Sequence, residues 1–211
     1  MIEVKPLQNL QATVTVPGSK SYTNRALLIA GLTDGECRLE KPLVSDDTKY
    51  MIRALKAFGV SVQEGKDVFI VSGSGGKLST PKEDIFIGNA GTAMRFLTTF
   101  SALAPGKTRL DGDERMRQRP LADLLDCLTQ MGVKAVSANG NGCPPIDIAG
   151  GEVPGGDIQL AGDKSSQYLT SILLSAPYFK DDTCIHIQGD LTSKSYADIT
   201  LDIMKTFGVH V

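Results

Sequence analysis

Three helix ends in this chain are written almost alike. They read Phe58-Gly59-Val60-Ser61-Val62, Met131-Gly132-Val133-Lys134-Ala135 and Phe207-Gly208-Val209-His210-Val211. In each, an apolar residue precedes a glycine, and a valine opens an alternating segment. Glycine suits the left-handed conformation that ends a helix, and the valine begins a strand. The three glycines recur about every 75 residues, the mark of an internal repeat. A repeat of that length constrains the fold more than any single motif, because each copy must be one supersecondary unit.

The same spacing relates three strand-to-helix turns: Gly18-Ser19-Lys20-Ser21, Gly88-Asn89-Ala90-Gly91-Thr92 and Gly162-Asp163-Lys164-Ser165-Ser166. Extended runs precede them, namely Ala12 to Val16 closed by Pro17, Ile85 to Ile87, and Ile158 to Leu160. Apolar helices follow, over Ala26 to Leu32, Met94 to Leu103 and Tyr168 to Ala176. Short strands are expected at Cys37–Leu39, Thr108–Leu110 and Cys184–Ile187. Second helices are expected at Asp47–Phe58, Leu121–Met131 and Asp198–Phe207. Extended pairs then follow at Val60–Val62 with Val68–Val71, and at Val133–Val136 with Ile146–Ile148.

The pattern predicts an α/β fold of three β-α-β-α-β-β units, with mixed sheets packed around helices. The units cover about 18–72, 83–150 and 156–211. The third is truncated where the first two continue to another strand, so the sequence reads as a fragment or as one half of a larger protein.

Composition narrows the function classes. The 211 residues carry a formal net charge of −2, so a global basic field for nucleic acid is absent and any anion site is local. The cysteines Cys37, Cys127, Cys143 and Cys184 form no C-x-x-C pair, and the histidines are His186 and His210. That spacing shows neither a zinc pattern nor a disulfide framework, and points to reduced, cytosolic thiols. The N-terminus resembles neither a signal peptide nor a transit peptide. No apolar run approaches the roughly 20 residues that a membrane span needs.

The polar clusters sit at equivalent ends of the repeated units. Gly18 to Arg25 opens a helix with Ser19, Lys20, Ser21 and Arg25, and free N–H groups at a helix start favour anions. The alternative is a serine-capped helix with two surface cations. Gly88 to Thr92 offers small residues that let a ligand approach the backbone, or a turn needed only for packing. The loop Asp113 to Pro120 alternates Arg115, Arg117 and Arg119, which an extended loop would place on one side. Arginine suits bidentate carboxylate or phosphate binding. Lys164-Ser165-Ser166-Gln167 and Asp190 to Tyr196 add hydroxyls and an amide. Ser45-Asp46-Asp47 reads mainly as a helix cap. No Ser-His-Asp or Cys-His arrangement is visible, and no general base is evident.

Four motifs in order carry a resemblance across all 211 residues. Pro17-Gly18-Ser19-Lys20-Ser21-x-x-Asn24-Arg25, Gly88-Asn89-Ala90-Gly91-Thr92-Ala93-Met94-Arg95, Arg115-Met116-x-x-Arg119-Pro120 and Ser165-Ser166-Gln167 are similar to those of the 5-enolpyruvylshikimate-3-phosphate synthase family. The resemblance implies an enzyme of about double this length, with two such three-unit domains and the active site between them. The present chain corresponds to the N-terminal half, with residues 1–17 packing as strands on the other domain. The implied reaction moves the enolpyruvyl group of phosphoenolpyruvate to the 5-hydroxyl of shikimate 3-phosphate, releasing phosphate. No metal or organic cofactor is implied. The setting is cytoplasmic, with no nucleic acid or membrane partner and a monomeric full enzyme.

Carried over by motif, Lys20 is catalytic and lies between both substrates. Lys20, Ser21, Arg25, Ser165, Ser166, Gln167, Ser193 and Tyr196 are the implied shikimate 3-phosphate ligands. Lys20, Gly91, Arg119 and Gln167 are those for phosphoenolpyruvate. The carboxylates that act as acid and base in the family lie in the other half, so this chain alone is expected to bind but not to turn over. Phe96 stands where the family commonly has proline. Lying one turn from Gly91, it is expected against the phosphoenolpyruvate site, with a shifted helix and an altered response to glyphosate. Thr23 replaces a common serine and keeps the hydroxyl. Two other readings compete: a non-catalytic half that binds a phosphorylated sugar acid, and the related transferase acting on UDP-N-acetylglucosamine. The latter carries a catalytic cysteine in the loop that here reads Glu114 to Pro120, which has none.

Overall fold

The computed structural model describes Glu3, Gln8, Asn9 and residues 11–211. The first unit runs α1 (Lys20–Leu32), β1 (Glu36–Glu40), α2 (Asp46–Ala57), β2 (Ser61–Glu64) and β3 (Val68–Ser72). The second runs β4 (Ile85–Phe86), α3 (Gly91–Ala102), β5 (Gly106–Asp111), α4 (Ala122–Gln130), β6 (Lys134–Ser137) and β7 (Ile146–Gly150). The third runs β8 (Gly156–Ala161), α5 (Ser166–Ser175), β9 (Thr183–Gln188) and α6 (Lys194–Thr206). Short 3-10 turns occur at Met116–Gln118 and Ala176–Tyr178.

Each unit owns a sheet. The orders are β1-β3-β2, β4-β5-β7-β6 and β8-β9. The pairs β4–β5 and β8–β9 are parallel, as a strand-helix-strand crossover requires, and the rest are antiparallel. Inward residues alternate with solvent-facing ones, so each sheet buries one face.

The repeat is repeated in hydrogen bonds. At the end of α2 the Gly59 N–H donates to the Lys56 carbonyl and the Val60 N–H to that of Leu55, at 3.1 and 3.0 Å. Gly132 and Val133 donate to Thr129 and Leu128, and Gly208 and Val209 to Lys205 and Met204, at the same offsets. The glycines have φ of +90°, +79° and +83°, a conformation that a Cβ would strain.

Helices α1, α3 and α5 form the interior. Almost every residue of α3 and α5 is buried, as is α1 from Thr23 to Leu32 apart from Ala26. Helices apolar on all sides belong inside a domain, and these three touch one another. Buried hydroxyls stitch them together: Thr99 and Ser171 share a 2.7 Å bond between α3 and α5. The amphipathic α2, α4 and α6 lie outside them. At the start of α2 the Ser45 N–H donates to Thr48 Oγ1 at 2.9 Å and the Thr48 N–H to Ser45 Oγ, a reciprocal cap. Asp46 and Asp47 occupy the first turn beyond it.

The strand expected over Ala12–Val16 does not form. Residues 11–19 have no regular secondary structure, and Val14 and Val16 are more than three-quarters exposed. β-branched residues favour an extended chain, but a strand needs a neighbour to bond, and no strand of the described residues pairs with this segment. Much of the stretch 1–10 lies outside the described residues. No helix of the described residues is long and apolar enough to cross a membrane.

Candidate functional site: an anion-binding cavity at three helix starts

The first helices of the three units begin around one open cavity of about 760 Å³. Lys20 comes from the start of α1, Gly91, Thr92 and Arg95 from α3, and Ser165, Gln167 and Tyr168 from α5. Asp47, Asn89, Arg119, Pro120, Asp123 and Lys164 complete the wall. Three helix N-termini bring the positive ends of three dipoles to the same space, with the Gly91 N–H bonded to the Asn89 carbonyl and the Gln167 N–H to Ser165 Oγ. Four cations, Lys20, Arg95, Arg119 and Lys164, face two carboxylates there. The cavity is therefore electropositive within a chain that is slightly acidic overall.

Lys20 is held by Asp47, Nζ to Oδ2 at 2.8 Å, with the lysine about half exposed. Arg119 reaches across the start of α3. A Cβ built on Gly91 would run into Nη1 of Arg119 and stand 2.9 Å from Nη1 of Arg95. The missing side chain at 91 is thus the space that the Arg119 guanidinium fills. Arg95 donates to the Gly91 carbonyl at 2.8 Å and lies over the Tyr168 ring, 5.9 Å from its centroid. Burial pulls its pKa below the usual arginine value, and Tyr168 partly opposes that. The Tyr168 hydroxyl donates to the Pro120 carbonyl at 2.8 Å, fixing the Arg119-Pro120 segment to α5. Ser165 caps α5 through its Oγ, which accepts from the Gln167 N–H at 3.2 Å.

Of the residues predicted for the site, Lys20, Gly91, Arg119, Ser165 and Gln167 line the cavity. Ser166 is buried behind it. Ser21, Arg25 and Tyr196 form a separate, adjoining cluster. Arg25 is only 1 % exposed. Its Nη1 donates to the Ser21 carbonyl at 2.9 Å, Nε to Thr200 Oγ1 at 2.8 Å, and Nη2 to the Tyr196 carbonyl and Thr170 Oγ1 at 3.1 and 3.4 Å. Phe96 lies under the guanidinium, 5.2 Å from its centroid. Burial lowers the Arg25 pKa to about 10, against the pull of Tyr196 and Tyr22. Ser193 adopts a left-handed conformation at the start of α6, φ 57°, and is exposed.

Two local expectations are corrected. Arg115, Arg117 and Arg119 do not share a side. Asp113 accepts from the Met116 N–H through Oδ1 and from the Arg117 N–H through its carbonyl, winding the segment into a 3-10 turn. Arg117 is thereby turned onto Asp111, with two bonds at 2.9 and 2.5 Å, and only Arg119 lines the cavity. Phe96 does not face the cavity either. Five residues along a helix is a rotation of about 140°, so Phe96 points into the core while Arg95 follows Gly91. Helix α3 continues through position 96 without a break.

Sequence reading missed Asp47, Asp123 and Tyr168 as members of the wall. Asp47 was legible only as a helix-start carboxylate, because its ion pair with Lys20 joins two elements. Tyr168 was legible only as a core aromatic.

Residues 4–211 match the family model described as EPSP synthase (3-phosphoshikimate 1-carboxyvinyltransferase). A 3-phosphoshikimate 1-carboxyvinyltransferase of Methanothermobacter thermautotrophicus is 44 % identical over 210 residues, covering 100 % of this chain and 49 % of that protein. The enzyme of the same name from Pseudoalteromonas translucida is 43 % identical, covering 100 % and 50 %. The solved EPSP synthase of Acinetobacter baumannii superposes with a TM-score of 0.84 at 26 % identity, over 94 % of this chain and 44 % of that one. The chain spans about half the length of the curated relatives it matches. It belongs to the EPSP synthase (3-phosphoshikimate 1-carboxyvinyltransferase) family.

Proposed function

We propose that this chain supplies the shikimate 3-phosphate and phosphoenolpyruvate seats of a 3-phosphoshikimate 1-carboxyvinyltransferase, the other half of the site coming from a C-terminal domain. The observation that carries the reading is the convergence of three helix starts and four cations on one cavity. Two polyanions placed side by side need that density of donors. The reaction protonates the methylene carbon of phosphoenolpyruvate and adds the 5-hydroxyl of shikimate 3-phosphate at the neighbouring carbon, the hydroxyl proton passing to a base. A proton of the new methyl group then leaves together with phosphate from the tetrahedral intermediate, restoring the double bond. Each step changes charge on groups that fixed donors stabilise without reorganising.

In this reading Lys20 stands between the two ligands, and Asp47 holds its ammonium until an anion replaces or joins the pair. Arg119, over Gly91, binds phosphoenolpyruvate. Ser165, Ser166 and Gln167 at the start of α5 serve the phosphate of the second substrate, with Ser193 and Tyr196 at the start of α6 alongside. Arg25 has four hydrogen bonds to protein acceptors, which supports a positioning role: it ties Ser21, Thr170 and Tyr196 into one piece. The acid and base of the reaction are carboxylates of the C-terminal domain. A cytoplasmic setting fits the four free thiols.

The test joins this chain to the C-terminal half of the Methanothermobacter relative and measures phosphate release from phosphoenolpyruvate and shikimate 3-phosphate. Turnover is expected from the joined protein and not from the 211-residue chain. Turnover by the chain alone would refute the division of labour. Ligand binding by a folded, joined protein that never releases phosphate would favour a non-catalytic half.

A further inference from the structure

A second constellation lies on the solvent face of the β8–β9 sheet, away from the cavity wall. The two strands are parallel, with Asp157 opposite Cys184 and Gln159 opposite His186. Alternation turns Ile158 and Leu160 into the core and leaves Asp157, Cys184 and His186 on the outer face, all exposed. One carboxylate oxygen, one thiol sulfur and one imidazole nitrogen lie within 4.8 Å of one another. His186 Nε2 is already 3.1 Å from Asp157 Oδ1.

We propose that Asp157, Cys184 and His186 form a zinc site that clips β8 to β9. Ligand atoms around a tetrahedral Zn²⁺ stand about 3.3–3.8 Å apart, given bonds of about 2.0–2.3 Å. With every pair of these atoms inside 4.8 Å, the cluster reaches that geometry by closing its widest pair by no more than about 1–1.5 Å. Exposed side chains manage this by rotamer adjustment, with the backbone register unchanged. The donor set selects the metal: a thiolate and an imidazole with one carboxylate suit Zn²⁺ and not Mg²⁺ or Ca²⁺. On binding, the Cys184 thiol releases its proton to solvent, neutral His186 donates a nitrogen lone pair, and Asp157 binds as carboxylate. Two negative ligands neutralise the divalent ion, and water takes the fourth position. No electron is transferred. The clip joins residues on either side of α5, so it stabilises the third unit and has no part in the enolpyruvyl chemistry. A search for C-x-x-C misses it because its ligands are Cys-x-His on one strand and a register partner on the next.

The test titrates the purified, reduced chain with Co²⁺ as the spectroscopic stand-in, then displaces it with Zn²⁺. One equivalent of Co²⁺ is expected to give a thiolate charge-transfer band with tetrahedral d–d bands, and Zn²⁺ to abolish both. Cys184→Ser removes the thiolate band, and Cys143→Ser leaves it intact. His186→Ala and Asp157→Asn each weaken Co²⁺ binding by roughly tenfold or more, the loss typical even of an outer-shell partner. Zn²⁺ raises the melting temperature of the wild-type chain and not of Cys184→Ser, whose metal-free melting is unchanged. An octahedral spectrum without a thiolate band, or a thiolate band that survives Cys184→Ser, overturns the proposal.

Discussion

Lys20 and Arg25 lie five residues apart on one helix and do opposite things with a positive charge. Lys20 is half exposed, has one carboxylate partner and lines the cavity. Arg25 is buried, has no carboxylate partner among the described residues, and spends its donors on two carbonyls and two hydroxyls over an aromatic ring. The difference follows from helix geometry. The cavity faces the first turn of α1, while a residue five positions on points between α5 and α6. One cation can therefore answer a ligand, while the other holds the helices that form the ligand's seat. Arg25 uses the planar fork of its guanidinium for this, a geometry that an ammonium cannot reproduce.

Substitution of Arg25 should have the largest effect. Arg25→Met removes a donor from the Thr200 and Thr170 hydroxyls and from the Ser21 and Tyr196 carbonyls, leaving Thr170, Thr200 and Tyr196 only their bonds to one another, and is expected to cost about 3 kcal/mol. Thermal unfolding should then fall by roughly 6–12 °C for a chain of this size. A melting temperature within 2 °C of wild type, roughly the shift of a neutral surface change, would break the comparison. Gly91→Ala comes next and should act on the other side of it. Its Cβ displaces the Arg119 guanidinium without disturbing the helix, so melting is preserved. Binding of phosphoenolpyruvate, read by calorimetry on the joined protein, should weaken by roughly 10–100-fold, the loss of a hydrogen bond to a charged group.

Asp47→Asn is the sharper, smaller test. It removes the anion that competes for Lys20, so affinity for inorganic phosphate should rise about two- to fivefold, the scale of an exposed ion pair. Lys20→Met should lower the same affinity. Equal phosphate affinity in both variants would show that the cavity is elsewhere.

The smallest effect concerns Asp111, whose carboxyl Arg117 holds below the usual range. A depressed folded-state pKa contributes stability above the unfolded value of about 3.9, and that stability is lost as pH falls through the folded value. Asp111→Asn should therefore melt about 1–3 °C below wild type at pH 7, and the gap should close at acid pH. A gap that widens on acidification contradicts the assignment.

Much of this molecule was legible from local signals. The Gly-Val helix ends returned as three identical hydrogen-bond patterns, because a left-handed cap needs glycine wherever it occurs. The strand pairs and apolar helices followed from periodicity. The failures have physical reasons. Ala12 to Val16 has strand composition, but pairing requires a partner that local sequence does not reveal. The arginines of Arg115 to Arg119 were read as an extended alternation, and a single Asp113 cap turned them into a 3-10 turn. Phe96 was placed by its distance from Gly91 along the chain, whereas a helix sorts residues by rotation. The polar clusters were legible at equivalent ends of the repeated units, and the structure brings three of those ends to one cavity. The ion pair Lys20–Asp47 and the exchange of a Cβ at Gly91 for the Arg119 guanidinium needed three dimensions.

The central claim is that the starts of α1, α3 and α5 form one anion site. Its most direct measurement is a titration of the ¹⁵N-labelled chain with shikimate 3-phosphate and then phosphoenolpyruvate, followed through the backbone amides of Ser21, Gly91 and Gln167. The amides should shift together and fit one dissociation constant per ligand, with Arg119→Ala abolishing the phosphoenolpyruvate response at Gly91. Shifts confined to a single helix start, or three unrelated constants, would contradict it.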